Sequence, residues 1–475
     1  MNRLKIRLND GKRFLFPAAL AAVWVLLMGG ANALATTNTV WTVTKSSSNP
    51  TCSRTPSLVT TCNTIQSAVT AAESGPTYGD VVVVGPGRYN ETVEVSSTGL
   101  LTILGAQAGR DARVDRNEPW KESIVDASGT PTGSGGGAGF FVEGDNVIID
   151  GFTIQGGGVT SGSPGVAASG IYVDGVGPDQ ILNNIIQNNV VGVYLYYPAY
   201  NLLKNNLFKN NNCGKPGTDD YELDGPGFGV AAYGPGPADL SDSDYEYIVY
   251  GSTSITENAF EENLAAAIYM AYYASWYAVT ENTSNKDGSF LVCYDCYYDT
   301  FSGNQGRDFG AKGFLPLYGS TNADAAIDIV YYNVSLQINN NVLEGGKTSG
   351  YNGIAFDSTT SEADYNCEYC QVSNNQISRF GGSGIVAQPY EDYATLYYCL
   401  ISGNDAEDNV QDGILIGLAP DNYYNTLVDN KAKGNHVFDC EDDTVDSLTL
   451  GTYNTWYNNI GRLSSPPGLC SSRSW

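Results

Sequence analysis

The sequence predicts an all-β fold, a single-stranded parallel β-helix in which successive coils of chain stack into a solenoid. Two observations favour this fold class: a short motif that first recurs after 22 residues, and a composition of 55 Gly and 33 Tyr with only 16% charged residues. Repeats of one small unit bury their apolar side chains only by stacking on one another. Turn-forming glycine and strand-forming tyrosine suit a stack of short strands joined by turns.

The recurring motif is centred on an asparagine or aspartate, with an apolar residue three positions before it and an uncharged residue two positions after it. Eight centres fit: Asn184, Asn206, Asn258, Asp299, Asn341, Asn375, Asn404 and Asn430. A second asparagine follows five positions after six of them: Asn189, Asn211, Asn263, Asn304, Asn409 and Asn435. Asparagine tolerates the left-handed backbone of a sharp bend, so the motif predicts two strands joined at a bend, with the asparagines stacked from coil to coil.

The first 35 residues have the pattern of a signal peptide. A basic segment at 3–13 precedes an apolar run at 14–30 and an A-x-A cleavage sequence at 33–35. An uncleaved membrane anchor is the alternative, although the apolar run is short for a span. We expect an exported protein, secreted or at the cell surface, with no membrane insertion after cleavage.

The net charge of −27 arises from 51 acidic and 24 basic residues. A field of this sign repels nucleic acid and anionic membrane surfaces, so neither is an expected partner.

Export makes the ten cysteines candidates for disulfide bonds. The expected pairs are Cys52 with Cys62, Cys440 with Cys470, and Cys370 with Cys399. The last pair is expected because each cysteine stands five residues before a motif centre, so the two would lie on adjacent coils. The two C-x-x-C sequences that begin at Cys293 and Cys367, and end at Cys296 and Cys370, leave a zinc site open as an alternative, and Cys213 has no assigned partner.

Three further parts of the chain are expected after the signal peptide. Residues 36–75 form an N-terminal arm with an amphipathic helix at 63–73, which covers the exposed end of the apolar core. Residues 76–440 form the β-helix, a single domain of about eleven coils, and residues 441–475 form a C-terminal cap held by a disulfide.

The N-terminal motifs carry a family resemblance. The sequence T-I-Q-x-A-V at 64–69 and G-x-Y-x-E at Gly87, Tyr89 and Glu91 resemble the first coil of extracellular right-handed β-helix proteins, including pectin methylesterases. The segment 140–157 resembles a typical coil of that superfamily, and 440–470 resembles the closing segment of secreted β-helix repeat proteins. The resemblance implies a right-handed parallel β-helix, and its motifs are motifs of the fold.

The spacing between motif centres exceeds 22 residues by 0, 30, 19, 20, 12, 7 and 4. We expect this extra length at a single corner of the coil, directly after one strand, where it would mark the working face. The extra segments are rich in Tyr, Trp, Asp and Glu, which suits the apolar faces and hydroxyls of sugars, although tyrosine is also a common strand residue.

The leading hypothesis is a glycan-binding surface on the extra segments and the strand before them. The candidates are Tyr196, Tyr233, Tyr245, Tyr273, Trp276, Tyr294, Asp357 and Gln388, and Asp242, Asp244 and Glu246 could bind calcium. The expected partner is an extracellular polysaccharide or a cell-surface glycan.

Two other functions stay open. One is a polysaccharide-degrading enzyme that uses carboxylates carried on loops, because glycoside hydrolysis usually needs two carboxyl groups about 5 to 10 Å apart. The catalytic motifs of pectin methylesterases and polygalacturonases are absent, and the expected working face lacks the basic residues of polysaccharide lyases. The other is a passive structural protein of an envelope or stalk.

Overall fold

The computed structural model describes most of the chain downstream of the predicted signal peptide. The described residues are 39–45, 52, 59–75, 79–96, 99–114, 116, 118–128, 137–158, 169–175, 177–198, 200–212, 227–234, 252–310, 325–346, 350–357, 365–388, 394–418 and 422–472. The predicted signal peptide, Cys213, Tyr245 and the predicted calcium ligands Asp242, Asp244 and Glu246 lie outside this part of the chain.

Three long sheets, each built of parallel strands from successive coils, form the described structure. Sheet A contains, in ladder order, Val59–Cys62, Val40–Val43, Asp80–Val84, Leu101–Leu104, Val147–Asp150, Gln180–Leu182, Leu202–Lys204, Ser254–Thr256, Ala278–Thr280, Thr300–Ser302, Gln337–Asn339, Gln371–Ser373, Leu400–Ser402, Thr426–Val428 and Thr455–Tyr457. Sheet B contains Gly87–Tyr89, Ser123–Asp126, Phe152–Gln155, Ile185–Gln187, Leu207–Lys209, Ala259–Glu261, Thr283–Asn285, Gln305–Arg307, Val342–Glu344, Gln376–Ser378, Asp405–Glu407 and Lys431–Lys433.

Sheet C contains Val93–Val95, Phe140–Val142, Ser169–Asp174, Val191–Tyr196, Phe228–Tyr233, Ala266–Ser275, Ser289–Tyr297, Ala325–Val330, Asn352–Asp357, Ile385–Gln388, Ile414–Ile416, Cys440–Asp442 and Ser464–Ser465. A side branch adds Asn333–Val334, Tyr365–Glu368 and Ala394–Tyr397. The helices are Ile65–Glu73 and two short 3-10 turns, Pro119–Lys121 and Thr449–Gly451.

Each coil passes through sheets A, B and C in turn, so equivalent residues of successive coils lie side by side. Ile181 pairs with Leu203 in sheet A, and Ile186 pairs with Phe208 in sheet B. These are the apolar flanks of the motif, and all four side chains are buried in one continuous core. Sheet B contains twelve strands, all within the predicted β-helix at 76–440, which is one more than the expected eleven coils. Sheet A contains fifteen, because it extends into both predicted end segments with Val40–Val43, Val59–Cys62 and Thr455–Tyr457.

The motif asparagines form a buried ladder at the corner between sheets A and B. Asn206 Oδ1 accepts the backbone N–H of Asn184, and its Nδ2 donates to the carbonyl oxygen of Ile181 at 2.8 Å and to Asn258 Oδ1 at 3.0 Å. Each side chain thus satisfies the backbone of the neighbouring coil at a bend that has no sheet partner. The members are Asn184, Asn206, Asn258, Asn282, Asn304, Asn341, Asn375, Asn404, Asn430 and Asn459.

The predicted centre at Asp299 is wrong. The ladder passes instead through Asn282 and Asn304, so two coils lie where the sequence analysis expected one. The motif was hidden because the residues two positions after these asparagines are Ser284 and Gly306, which are not apolar. A Cβ on Gly306 would lie 2.2 Å from the Phe309 ring, which fills that part of the core.

A second buried ladder lies between sheets B and C. Asn189, Asn211 and Asn263 follow one another in it, and Asn263 donates from its backbone N–H to Asp287 Oδ1 at 2.7 Å. Asn409 and Asn435 continue the same corner nearer the C-terminus. Asn304, the remaining residue of the six second asparagines in the sequence motif, belongs to the first ladder.

The two N-terminal motifs meet at the helix cap. Glu91 accepts the backbone N–H groups of Ile65 and Gln66 at 3.1 and 3.0 Å, and these groups have no partner within the helix. The Gln66 side chain bonds both the N–H and the carbonyl of Glu94. The helix is therefore fixed against the first coil, with Ile65 and Val69 buried in the core.

The structure pairs Cys52 with Cys62 and Cys440 with Cys470, as the sequence predicts. The predicted bond between Cys370 and Cys399 is wrong. Cys370 is bonded to Cys367 instead, and Cys399 is a buried free thiol whose Sγ lies 3.3 Å from the backbone nitrogen of Cys370. A further bond joins Cys293 and Cys296, so each C-x-x-C sequence closes on itself.

Extra chain length flanks sheet C on both sides. Segments 213–226 and 311–324 separate sheet B strands from sheet C strands, whereas 235–251, 358–364 and 389–393 follow sheet C strands. The expectation that all the extra length lies at one corner is therefore wrong. Among the described residues, no helix combines the length and apolarity that crossing a membrane requires.

Candidate functional site

Five predicted glycan-binding residues share one outward column of sheet C. The register runs from Tyr196 through Tyr233, Tyr294 and Asp357 to Gln388, with Ala271 and Val330 on the intervening coils. Tyr294 was expected in an extra segment, whereas the register places it in the same column as the other four.

This column is not an open binding surface over its full length. Tyr233 is 3% exposed, and the adjacent outward column is also buried, with Tyr194 and Tyr269 packed in a second apolar cluster outside the coil. Tyr196 and Tyr294 are half-buried at the edge of that cluster, and Tyr294 stacks on Tyr331. The outer face of sheet C near the middle of the molecule is therefore packed.

The Tyr-rich stretches at 271–277 and 292–299 are not loops. They continue the sheet C strands Ala266–Ser275 and Ser289–Tyr297 past a bulge into a fourth, short ladder. In this side ladder Cys296 follows Ala274, Val334 follows Tyr297, and Cys367 follows Asn333. Tyrosine favours β-strands, so these stretches extend the coil with an additional short parallel sheet.

Immediately after the side ladder, successive coils present an exposed aromatic side chain at the same corner. We call Trp276, Tyr298, Tyr369, Tyr398 and Tyr424 the aromatic row, and their exposed fractions are 45%, 49%, 56%, 46% and 50%. Ser335 occupies the same position on the coil between Tyr298 and Tyr369. Backbone hydrogen bonds join this coil to both of its neighbours. Tyr298 N donates to Val334 O at 2.9 Å, and Ser335 N donates to Glu368 O at 2.8 Å.

The row residues adopt a backbone conformation that aromatic side chains rarely take. Their φ angles are 62°, 60°, 56°, 50° and 60° in chain order. Equivalent positions at the corner between sheets A and B carry small or polar residues: Asn183, Asn205, Glu257, Glu281, Gly303, Asn340, Asn374, Gly403 and Asp429. A left-handed backbone costs a residue with a Cβ about 1 kcal/mol or more, and the cost is smallest for asparagine. Glycine, which has no Cβ, adopts this backbone readily. The aromatic residues at this corner are therefore not explained by the turn.

The row rings stack along the solenoid axis. Trp276 and Tyr298 have ring centroids 4.9 Å apart, Tyr369 and Tyr398 5.8 Å, and Tyr398 and Tyr424 5.2 Å, with interplanar angles of 16°, 10° and 20°. These distances match the spacing of about 4.8 Å between coils. Within each stack the ring faces are covered by neighbours, so the row turns mainly ring edges toward solvent.

The sequence analysis identified only Trp276 of this row. A signal for the others is present, because each row residue and Ser335 stands six positions before a member of the first asparagine ladder. The signal is hidden on the coils of Trp276 and Tyr298, because Ser284 and Gly306 replace the apolar residue of the motif there. Tyr273, also predicted, lies beside the row and stacks on Tyr297 at 5.4 Å.

Two carboxyl groups lie against tyrosines of the side ladder. The Tyr297 hydroxyl donates to Asp295 Oδ1 at 2.8 Å, and the Tyr332 hydroxyl donates to Glu368 Oε2 at 3.3 Å. The Tyr297 and Tyr332 rings are in contact, with centroids 6.0 Å apart. Burial raises the pKa of Asp295 to about 6, and burial followed by the charge of Glu368 raises the pKa of Tyr332. Asp295 is buried, at 5% exposed, whereas Glu368 and Tyr332 are partly exposed, so the surface beside the row offers one carboxylate and one tyrosine hydroxyl.

One group of potential metal ligands converges among the described residues. Cys293, Cys296 and Asp299 bring their ligand atoms within 4.8 Å of one another, and all three are buried. Because the two sulfurs are joined in a disulfide, they do not provide the thiolates that zinc requires. The zinc alternative therefore does not fit the residues as they are bonded.

Comparison with known proteins supports the fold. A family model described as a right handed beta helix region matches residues 126–237. PfbA, a surface adhesin of Streptococcus pneumoniae, superposes with a TM-score of 0.51 and 14% identity over 82% of this chain and 89% of that chain. The A-module of the Azotobacter vinelandii mannuronan C-5 epimerase AlgE6 gives a TM-score of 0.51 and 14% identity over 84% and 94%.

The catalytic domain of a GH87 alpha-1,3-glucanase is similar at a TM-score of 0.48 and 12% identity, over 83% of this chain and 67% of that chain, which is too distant to support an argument. Comparison with curated proteins gives no significant match. At these identities the similarity concerns the fold and not the activity. Three all-parallel sheets, the ladder of asparagines between them and the match to the family model together identify the chain as a right-handed parallel β-helix protein.

Proposed function

We propose that this protein is an extracellular or cell-surface β-helix protein that binds neutral glycan through the aromatic row. The observation that carries the proposal is that the exposed aromatic residues of the row have left-handed backbone, at a corner whose counterpart uses asparagine, glycine and acidic residues. Side chains kept at a conformational cost are expected to act through what they present to solvent. Aromatic rings beside hydrogen-bonding groups suit sugars, which combine apolar C–H faces with hydroxyls.

The charge of the protein restricts the class of glycan. A net charge of −27 and the Glu368 carboxylate beside the row would repel polyuronates and sulfated chains. A neutral polysaccharide is not repelled, and its hydroxyls can donate to the carboxylate. The predicted signal peptide and the disulfides support an extracellular location, and the solved structures of this fold include a surface adhesin and an epimerase of mannuronan.

Binding can be measured with the purified protein on an array of neutral and acidic glycans. We expect binding to neutral glycans, and at least tenfold weaker binding by the double variant Tyr298→Ala/Tyr369→Ala, because loss of about 1.4 kcal/mol corresponds to tenfold. Trp120→Ala is the matched control, since Trp120 is 71% exposed and lies outside the row. Absence of any glycan binding by the unaltered protein, or equal loss in the control, would contradict the proposal.

Glycoside hydrolysis is a second candidate, supported by the contact between the two tyrosine–carboxyl pairs. A carboxyl group with a raised pKa, such as Asp295, is suited to general acid catalysis, and Glu368 would be its partner. Incubation with neutral polysaccharides and a reducing-end assay tests this. Activity that disappears in Glu368→Gln would favour the enzyme, whereas unchanged substrate would exclude it for the polysaccharides tested.

A further inference from the structure

The aromatic row contains a position that lacks a ring. Trp276, Tyr298, Ser335, Tyr369 and Tyr398 follow one another on five successive coils, and Ser335 has the same left-handed backbone as its neighbours, with φ of 56°. The corner is therefore continuous in its main chain and interrupted only in its side chains. A hydroxymethyl group stands where each neighbouring coil carries a large ring.

The interruption leaves room for one ring. Coils are about 4.8 Å apart, so the ring positions of Tyr298 and Tyr369, two coils apart, are separated by about 9.6 Å. A ring placed midway would lie about 4.8 Å from each, which is close to the 4.9 Å between Trp276 and Tyr298. No ring contact joins Tyr298 to Tyr369, and Tyr298 stacks on Trp276 from the opposite side.

The slot leaves one face of each flanking tyrosine without a stacked neighbour in the row. Tyr398 has a stacked neighbour on each side, whereas Tyr298 and Tyr369 each have a stacked neighbour on one side only. Tyr369 is correspondingly more exposed than Tyr398, at 56% against 46%. Sugars pack on aromatic faces, and at the slot two rings that each lack a stacked neighbour flank one position.

Polar groups lie at the side of the slot. Ser335 donates its backbone N–H to the carbonyl oxygen of Glu368, and the Glu368 carboxylate accepts the Tyr332 hydroxyl. Ser335 and Glu368 thus belong to adjacent coils at the base of the slot. Their hydroxyl and carboxylate provide a donor and acceptors for the hydroxyl groups around a sugar ring.

We infer that the gap at Ser335 is a binding slot for a single neutral pyranose ring, held between the faces of Tyr298 and Tyr369. This inference rests on the proposed glycan binding and specifies where in the row it occurs. The two tyrosines contact the apolar faces of the sugar, while Glu368, Tyr332 and Ser335 bond its hydroxyls. The carboxylate at the side of the slot excludes uronic acids and other anionic sugars.

Filling the slot from within the chain tests the inference. Ser335→Tyr completes the row, and the flanking tyrosines show that this residue is tolerated in the same backbone conformation on either side. The probe is a set of neutral gluco-, galacto-, manno- and xylo-oligosaccharides, with affinity measured by calorimetry for whichever of them the unaltered protein binds. We expect at least tenfold weaker binding by Ser335→Tyr. Binding should stay within about twofold of the unaltered protein for Asn374→Tyr, which places the same residue in left-handed backbone, with φ of 56°, at the corner between sheets A and B.

Trp120→Ala is the second control, because Trp120 is 71% exposed and lies outside the row. Its binding is expected to stay within about twofold, and thermal unfolding checks that each variant is folded. If Ser335→Tyr binds as tightly as the unaltered protein or more tightly, the slot is excluded while glycan binding by the row stands. If the unaltered protein binds none of these sugars on the array or in solution, the proposed function itself fails.

Discussion

Single buried polar residues determine how the coils register. Asn375 shows the principle, since its Oδ1 accepts both the backbone and the side-chain N–H groups of Asn341, and its Nδ2 donates to Ile338 O and Asn404 Oδ1. Every polar atom of the side chain is bonded in a place that water does not reach. The ladder asparagines are therefore structural, although they are the most conspicuous residues of the sequence.

Replacement of Asn375 by alanine should lower the free energy of unfolding by about 2 to 4 kcal/mol, because it leaves buried donors and acceptors of two coils without partners. Chemical denaturation measures the change. Gln376→Ala, at the neighbouring exposed position, should alter stability by no more than about 0.5 kcal/mol. An effect of similar size in both variants would contradict a special role for the ladder.

Asp287 gives the second ladder a pH dependence. It is fully buried, and burial raises its pKa to about 7, against hydrogen bonds from Ser284 and Asn263 that favour the charged form. Since the folded pKa exceeds the unfolded one, its contribution to stability is complete below about pH 4 and is lost as the pH rises to about 7. Asp287→Asn, which restores the residue used by neighbouring coils, should be more stable than the unaltered protein at pH 8 by about 2 to 4 kcal/mol.

Denaturation curves at several values between pH 4 and pH 8 measure this difference. The advantage of Asp287→Asn should grow with pH across that range. Gln305→Ala serves as the control, because Gln305 is an exposed, uncharged residue on the following coil and its replacement should alter stability equally at every pH. A pH-independent difference between Asp287→Asn and the unaltered protein would argue against titration of this carboxyl.

At the scale of elements, the helix Ile65–Glu73 closes the N-terminal end of the core, and Glu91 fixes it there. The contacts of the short motif G-x-Y-x-E explain how it holds the helix. Tyr89 donates its hydroxyl to Gly85 O at 2.9 Å, which shapes the turn, and Glu91 accepts the first two N–H groups of the helix. The sequence suggested a cap, and the contacts show how it is attached.

Glu91→Ala should destabilise this end by about 1 to 2 kcal/mol, because both helix N–H groups lose their acceptor. Hydrogen exchange of residues 65–73 is the appropriate measurement, and exchange should become faster there. Exchange in coils near Asn375 should stay as it is. The exposed Glu143→Ala is the control and should change neither region.

At the scale of the whole molecule, the solenoid transmits little from one end to the other, because each coil contacts only its neighbours. Its stability is therefore approximately a sum over coils, with the ends as weak points. A helix and the Cys52–Cys62 bond protect one end, and the Cys440–Cys470 bond protects the other. The central coils, which carry the slot at Ser335, are supported from both sides.

Removal of the C-terminal disulfide should therefore act locally. Cys440→Ser/Cys470→Ser opens a connection of 30 residues, for which chain entropy predicts a loss of about 3 to 4 kcal/mol. Limited proteolysis with mass spectrometry should show new cleavage beyond residue 430 and none near Asn258. Cys52→Ser/Cys62→Ser should give new cleavage near the N-terminal end only. Cleavage throughout the chain in either variant would contradict the view that stability is approximately a sum over coils.

The sequence by itself determined the fold, because the alternation of apolar residues around a bend is local to each coil and stacking is the only way to bury it. It also determined the N-terminal cap and two of the disulfides, whose partners lie near one another or close the same end. Tertiary structure decided the register at Asn282, where a buried serine replaced the expected apolar residue, and the bonding of Cys370 to Cys367. It also decided the proposed functional surface, since residues from 276 to 424 form one row only when coils of unequal length are stacked. The gap at Ser335 can be recognised only once Tyr298 and Tyr369 are known to lie on the two adjacent coils.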